Sequence, residues 1–183
     1  MVKLLIKSIG AGLAIVLGAI IYLNLLNWVG AVFFSIGLYL VLWFGLTLYT
    51  GKVGYIKSKR DILDIILIFI GNAIGCAAIF CIFGNAAAIT IASAKLAQPL
   101  WLAAIKAIFC GILIYAGVDQ YKKGKEYAPI IAVPAFILLG AEHSIADLCF
   151  FFAAGAFTPQ AALFILIVAV GNAIGSLFWR AIT

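Results

Sequence analysis

The chain has 183 residues, is 67% hydrophobic, only 10% charged, and carries a formal net charge of +6. A soluble domain of this size carries about 25% charged residues, so the composition excludes a soluble core and points to a polytopic membrane protein. The positive charge is not a nucleic-acid signature, because the basic residues lie in loops between apolar runs rather than in one patch.

A spanning helix needs roughly 20 mostly apolar residues. Residues 8–26 predict the first span, in a run too long and too lacking in a polar, small-residue cleavage region to be a cleavable signal peptide. Ala31–Tyr49 predicts the second, and a basic loop with Lys52, Lys57, Lys59 and Arg60 follows. Ile65–Ala94 is uncharged and too long for one straight span. It divides into a helix to about Phe83, a turn at Gly84-Asn85, and a small-residue segment up to Lys95. Asp61 and Asp64 fall where the third helix starts, favourable places for acids beside the positive end of its dipole. Gln98-Pro99 opens the fourth helix, which runs to about Val118 and contains Lys106, read as a structural lysine that pairs with an acid or a helix terminus. A second basic loop holds Lys122, Lys123 and Lys125. The fifth run starts at Pro129, Gly155–Gln160 is a turn, and Ala161–Trp179 is the sixth span. Lys3, Lys7, the two basic loops and Arg180 then fall on one side of six spans, with Lys95 on the other. The positive-inside rule puts both termini in the cytoplasm, in a multi-pass protein of the cell inner (plasma) membrane.

Gly71-Asn72-Ala73-Ile74-Gly75 recurs as Gly171-Asn172-Ala173-Ile174-Gly175, 100 positions later. Glycines four apart let helices approach closely, but that leaves the asparagines needing partners at membrane depth. With three spans between the copies, the pattern predicts a 3+3 inverted repeat, with halves of roughly 1–94 and 95–183 in one channel domain over 1–183. The second span, ending in Gly45–Gly51, and the fifth, with Gly140 just before Glu142-His143, carry the expected interruptions. Non-helical backbone at that depth must line a cavity or be buried in protein.

The fifth run holds the one histidine, His143, between Glu142 and Asp147. Ionisable groups inside a span are expensive and mark a pathway. Cys76, Cys81, Cys110 and Cys149 lie in apolar runs and read as small core residues. No metal-ligand spacing and no cofactor motif is present in the sequence.

At these residues the chain resembles the formate/nitrite transporter family of pentameric anion channels, in a shortened form. Glu142-His143-Ser144-Ile145-Ala146 is similar to its fifth-helix signature. Phe33-Phe34-Ser35-Ile36-Gly37-Leu38 with Leu48-Tyr49-Thr50 is similar to its interrupted second helix, and Lys106-Ala-Ile-Phe-Cys110 to the start of its fourth-helix motif. The resemblance implies an all-α, aquaporin-like architecture assembled as a homopentamer in the lipid bilayer. It implies that His143 is the central hydrogen-bonding or proton-exchanging group, faced by Thr50. Phe34 and Phe136 would form the outer constriction and Leu38 with Ile114 the inner one. Lys95 would draw anions into the outer vestibule, and Asn72 and Asn172 would support the broken helices or the pore wall. Two positions depart from the family pattern. Gly111 stands where an asparagine is usual after Cys110, removing an amide from the pathway. Asp147 stands where an asparagine is usual after the histidine, adding a carboxylate near Lys95 and Glu142.

The function expected is therefore passage of small monovalent weak-acid anions: formate, nitrite, hydrosulfide or short carboxylates. His143 would assist either the anion alone or the anion with a proton. The alternative is a pore for water or a small neutral solute on the same fold. A membrane enzyme has little support from one histidine and scattered acids.

Overall fold

The structure, a computed structural model, describes residues 1–81 and 86–183, with the backbone alone at residues 80 and 81. The described residues form helices joined by short links: α1 (Val2–Leu25), α2 (Trp28–Trp43), α3 (Tyr49–Lys52), α4 (Lys59–Ala77), α5 (Ala86–Ala97), α6 (Leu100–Lys122), α7 (Ala128–Leu138), α8 (Ser144–Ala154) and α9 (Pro159–Ile182). The expected end of the third helix near Phe83, the turn at Gly84-Asn85 and the side chain of Cys81 lie outside the described residues. Within them, α4 gives way after Ala77 to a single turn of 3₁₀ helix ending at Cys81. Three helices, α1, α6 and α9, are each long and apolar enough to cross a membrane. Large apolar side chains such as Ile66, Ile74, Leu166 and Ile174 point outward and are exposed. With the hydropathy, this is the surface of a multi-pass membrane protein, whose outer faces meet lipid rather than water.

Two long helix pairs build the frame: α1 lies along α4, and α6 along α9. Their closeness is written in the glycines. A Cβ on Gly12 would collide with the Asn72 carbonyl oxygen, and one on Gly75 with that of Ile9. In the other pair, a Cβ on Gly111 would collide with the Asn172 carbonyl oxygen, and one on Gly175 with that of Ile108. Both pairs thus touch backbone to backbone, at positions 99 or 100 residues apart in the sequence (12 and 111, 75 and 175). The starts of α4 and α9 also correspond. Ser58 Oγ accepts from Asp61 N–H and Thr158 Oγ1 from Ala161 N–H, each satisfying an otherwise unpaired first-turn donor.

Shorter helices fill the space between these pairs. α2 stops at Trp43, and α7 at Leu138. At the end of α2, Gly45 N–H donates to Leu42 O and Leu46 N–H to Val41 O, with Gly45 at φ 57°. At the end of α7, Gly140 N–H donates to Ile137 O and Ala141 N–H to Phe136 O, with Gly140 at φ 65°. The left-handed glycine lets the chain turn sharply while the last carbonyls stay bonded. Every residue in one turn lies 95 positions from its counterpart in the other. The chain then runs extended and starts a new helix, α3 or α8, at Tyr49 or Ser144.

Candidate functional site

The extended links after the two turns are each held by one asparagine. Asn72 is fully buried; its Oδ1 accepts from Tyr49 N–H at 2.8 Å, and its Nδ2 donates to Thr47 O at 2.9 Å and Ser8 O at 2.8 Å. Asn172 is equally buried; its Oδ1 accepts from Ser144 N–H at 3.0 Å, and its Nδ2 donates to Glu142 O and Ala107 O, both at 2.8 Å. Buried backbone groups need partners, and a carboxamide supplies an acceptor and two donors at once. This is what the sequence left open about the two asparagines: they bracket broken backbone. Each bracket encloses one central residue, Leu48 in the first and His143 in the second.

His143 is 2% exposed. Its Nδ1 accepts the Ala146 N–H at 3.0 Å, capping α8. A ring nitrogen that accepts carries no proton, so the single proton of the neutral ring sits on Nε2. Nε2 lies 2.9 Å from Thr50 Oγ1, and its N–H donates to that hydroxyl. Phe136 stacks on the imidazole, with centroids 5.3 Å apart and planes 24° apart, and meets Phe34 edge-on at 6.2 Å. The expected central pair and the expected pair of phenylalanines are therefore in contact in one cluster.

Two cavities reach residues next to the pair. One, of 130 Å³, is lined by Phe34, Phe136, Lys95 and Asp147 among others. The other, of 160 Å³, is lined by Leu38, Val41, Leu48, Gly51 and Lys52 among others. Neither Thr50 nor His143 lines either cavity; Gly51, next to Thr50, lines the second, and Phe136, stacked on His143, lines the first. Ile114 is buried in the same core.

Lys95 is paired. Its ammonium binds Glu142 Oε2 directly and lies 2.8 Å from Asp147 Oδ1. Gln98 donates to Glu142 Oε1 at 2.6 Å and accepts from Lys106 Nζ at 3.0 Å. Lys106 thus joins the Lys95 end of the molecule through Gln98; it was expected to pair with an acid or a helix terminus. Gln98 was missed as a site residue, because nothing in the sequence marks it beyond its place before Pro99. Among the basic residues expected on one side, Arg180 donates to Gly54 O and Ile56 O, and the Lys122 ammonium sits 3.5 Å over the Tyr55 ring.

Gly111 has a packing contact. It was expected on the pathway, and it lies at the contact of α6 with α9, against the Asn172 carbonyl. A side chain there would part the helices, and Gly12 holds the corresponding place between α1 and α4. Among the described residues, no group of three or more His, Cys, Asp or Glu is arranged to hold a metal ion.

Residues 1–183 match the family described as Formate/nitrite transporter. The chain is similar in fold to a solved structure described as a pentameric formate channel with formate bound, at a TM-score of 0.85 and 21% identity over 98% of this chain and 94% of that one. It is similar also to an FNT family ion channel, at a TM-score of 0.86 and 22% identity over 99% of this chain and 88% of that one. At such identities the likeness shows the fold. No curated protein matches the chain.

Proposed function

The chain belongs to the formate/nitrite transporter family, and we propose that it is a membrane channel for small monovalent weak-acid anions: formate, nitrite, hydrosulfide or short carboxylates. One observation carries the reading: the buried Thr50–His143 hydrogen bond, whose neighbours Gly51 and Phe136 line two separate cavities. A solute moving from one cavity to the other exchanges that bond for its own. The His143 N–H then donates to the solute's oxygen or sulfur, replacing part of the hydration it sheds in an apolar passage. With Nδ1 committed to Ala146 N–H, the geometry favours hydrogen bonding over proton exchange at the ring.

In this reading Phe34 and Phe136 form the outer constriction and Leu38 and Ile114 the inner one. Lys95, Glu142 and Asp147 line the outer approach, while Asn72 and Asn172 hold the path's backbone. The architecture proposed is six spans in a 3+3 inverted repeat over one domain, with the second and fifth spans interrupted at Gly45 and Gly140. The matching close approaches, turns and asparagine brackets support it. By likeness to the pentameric channel, we read the assembly as a homopentamer. We read both termini as cytoplasmic, in an inner (plasma) membrane, a reading supported by the basic residues near them under the positive-inside rule.

The test is proteoliposome flux of formate, nitrite, hydrosulfide and a neutral solute at two pH values, with His143→Ala beside the wild type. The expected result is weak-acid flux that falls roughly tenfold or more in the variant, the equivalent of one lost hydrogen bond. Flux of the neutral solute alone would overturn the reading.

A further inference from the structure

The vestibule around Lys95 does not present a free positive charge. Glu142 and Asp147 both bind the same ammonium, so the formal charges of the three leave one negative charge over. Lys106 does not redress this at the cavity, since it stops at Gln98. Asp147 lines the 130 Å³ cavity and is 1% exposed. Its Oδ1 meets Lys95, and its Oδ2 has no hydrogen-bond partner among the described residues. A buried carboxylate oxygen without a donor is costly. An anion entering this cavity brings only further acceptors and a like charge. A small solute with an acidic O–H or S–H, or an N–H, brings the missing donor.

Resting on the channel reading above, we infer that Asp147 is a specificity-determining residue whose Oδ2 accepts a hydrogen bond from the solute, so that the vestibule takes small proton-donating species in preference to bare anions. Two sources share that chemistry: the protonated weak acid, and ammonium. Lys95 then serves to hold two carboxylates in place rather than to attract anions. A competing account of the vacant oxygen is a resident proton shared with the neighbouring Glu142 carboxyl, which would close the site to solutes.

The experiment compares wild type, Asp147→Asn and Glu142→Gln. Reversal potentials in bilayers under ammonium formate gradients give the formate-to-ammonium ratio, and flux into acidic proteoliposomes gives the passage of formic acid. Asparagine keeps the shape of the side chain and offers a donor in place of the acceptor. Asp147→Asn is expected to raise formate current relative to the proton-donating species by roughly tenfold. The arm that falls, ammonium or formic acid, identifies the source. Glu142→Gln removes the same charge but leaves Oδ2, so it should raise formate current without lowering that arm. An unmoved ratio in an Asp147→Asn protein that still transports overturns the inference and favours the resident proton. Equal effects of both variants on every arm also overturn it, leaving net charge alone. Absence of weak-acid flux in the wild type would end the channel reading instead. Thermal protection in detergent, by ammonium chloride over sodium chloride and by sodium formate over sodium chloride at acidic pH, then tests the site by itself: protection lost in Asp147→Asn supports it, and protection by neither overturns it.

Discussion

The link at Thr47–Tyr49 and the link at Glu142–Ser144 are the same device with different contents. Each follows a helix that ends on a left-handed glycine, each is spanned by a buried asparagine, and each places one extended residue between the two of the asparagine's three backbone partners that lie in the link. Leu48 has φ −97° and ψ 133°, and His143 has φ −113° and ψ 110°. The backbone is therefore common property, and the differences lie in side chains. Leu48 adds a buried hydrocarbon and no cap, and α3 after it lasts four residues. His143 caps α8, which lasts eleven. Thr47 hydrogen-bonds to Ser8 at 2.8 Å, a neutral pair, where the corresponding Glu142 is bound to Lys95 and Gln98. The bracket is structure, and the chemistry is confined to what one half places inside and beside it.

If the brackets are equivalent, removing either asparagine should do equal harm. Asn72→Ala and Asn172→Ala each strand three buried backbone groups, at roughly 1–3 kcal/mol apiece. Thermal unfolding in detergent should show a loss of several kcal/mol in both, and a mild effect in one alone would break the comparison. The flanks should then differ. Lys95→Met leaves two buried carboxylates without their cation, at a cost of roughly 3 kcal/mol, whereas Thr47→Val in the first half should cost about 1 kcal/mol. Exchanging the central residue sharpens the contrast further. His143→Leu gives the second link the first link's residue. It should lose only about 1 kcal/mol, the worth of a cap, while weak-acid flux falls roughly tenfold or more. A folded variant with full flux would remove the histidine from the proposed mechanism. The smallest effects lie at the entrances to α4 and α9. The backbone N–H groups of Lys57 and Ser58 hold the Asp61 carboxyl below its ordinary pKa. A depressed carboxyl adds stability above its unfolded pKa and loses it as pH falls through the folded one. Asp61→Asn should therefore lower the melting temperature slightly at neutral pH, with the gap closing in acid. Thr158→Ala at the other entrance should show a gap that does not depend on pH.

Much of this was legible in the chain and some was not. The repeated Gly-Asn-Ala-Ile-Gly is visible because backbone contact between helices admits almost no other side chain, so those residues keep their identity. His143 stands out by composition, as the one histidine in an apolar run. The match between Thr47-Leu48-Tyr49 and Glu142-His143-Ser144 is invisible in the letters. An asparagine that bonds to backbone places no demand on the side chains it holds, and the register there is 95 rather than 100 residues. The packing role of Gly111 is hidden for a related reason: a missing amide and a close-packing glycine look alike until the facing helix is known. Gln98 was missed because its value lies in joining two partners, Lys106 eight positions away and Glu142 on a different helix link 44 positions away.

A histidine at the centre of the proposed path invites a leak. Relay of protons along a chain of hydrogen bonds requires a ring to take a proton on one nitrogen and release it from the other. In His143 one nitrogen is spent on the first turn of α8 and cannot receive. The imidazole joins two hydrogen bonds but does not relay a proton between them. In the proposed channel, protons cross only as cargo on a solute, and the cell's proton gradient is not short-circuited by the group that lets the solute through.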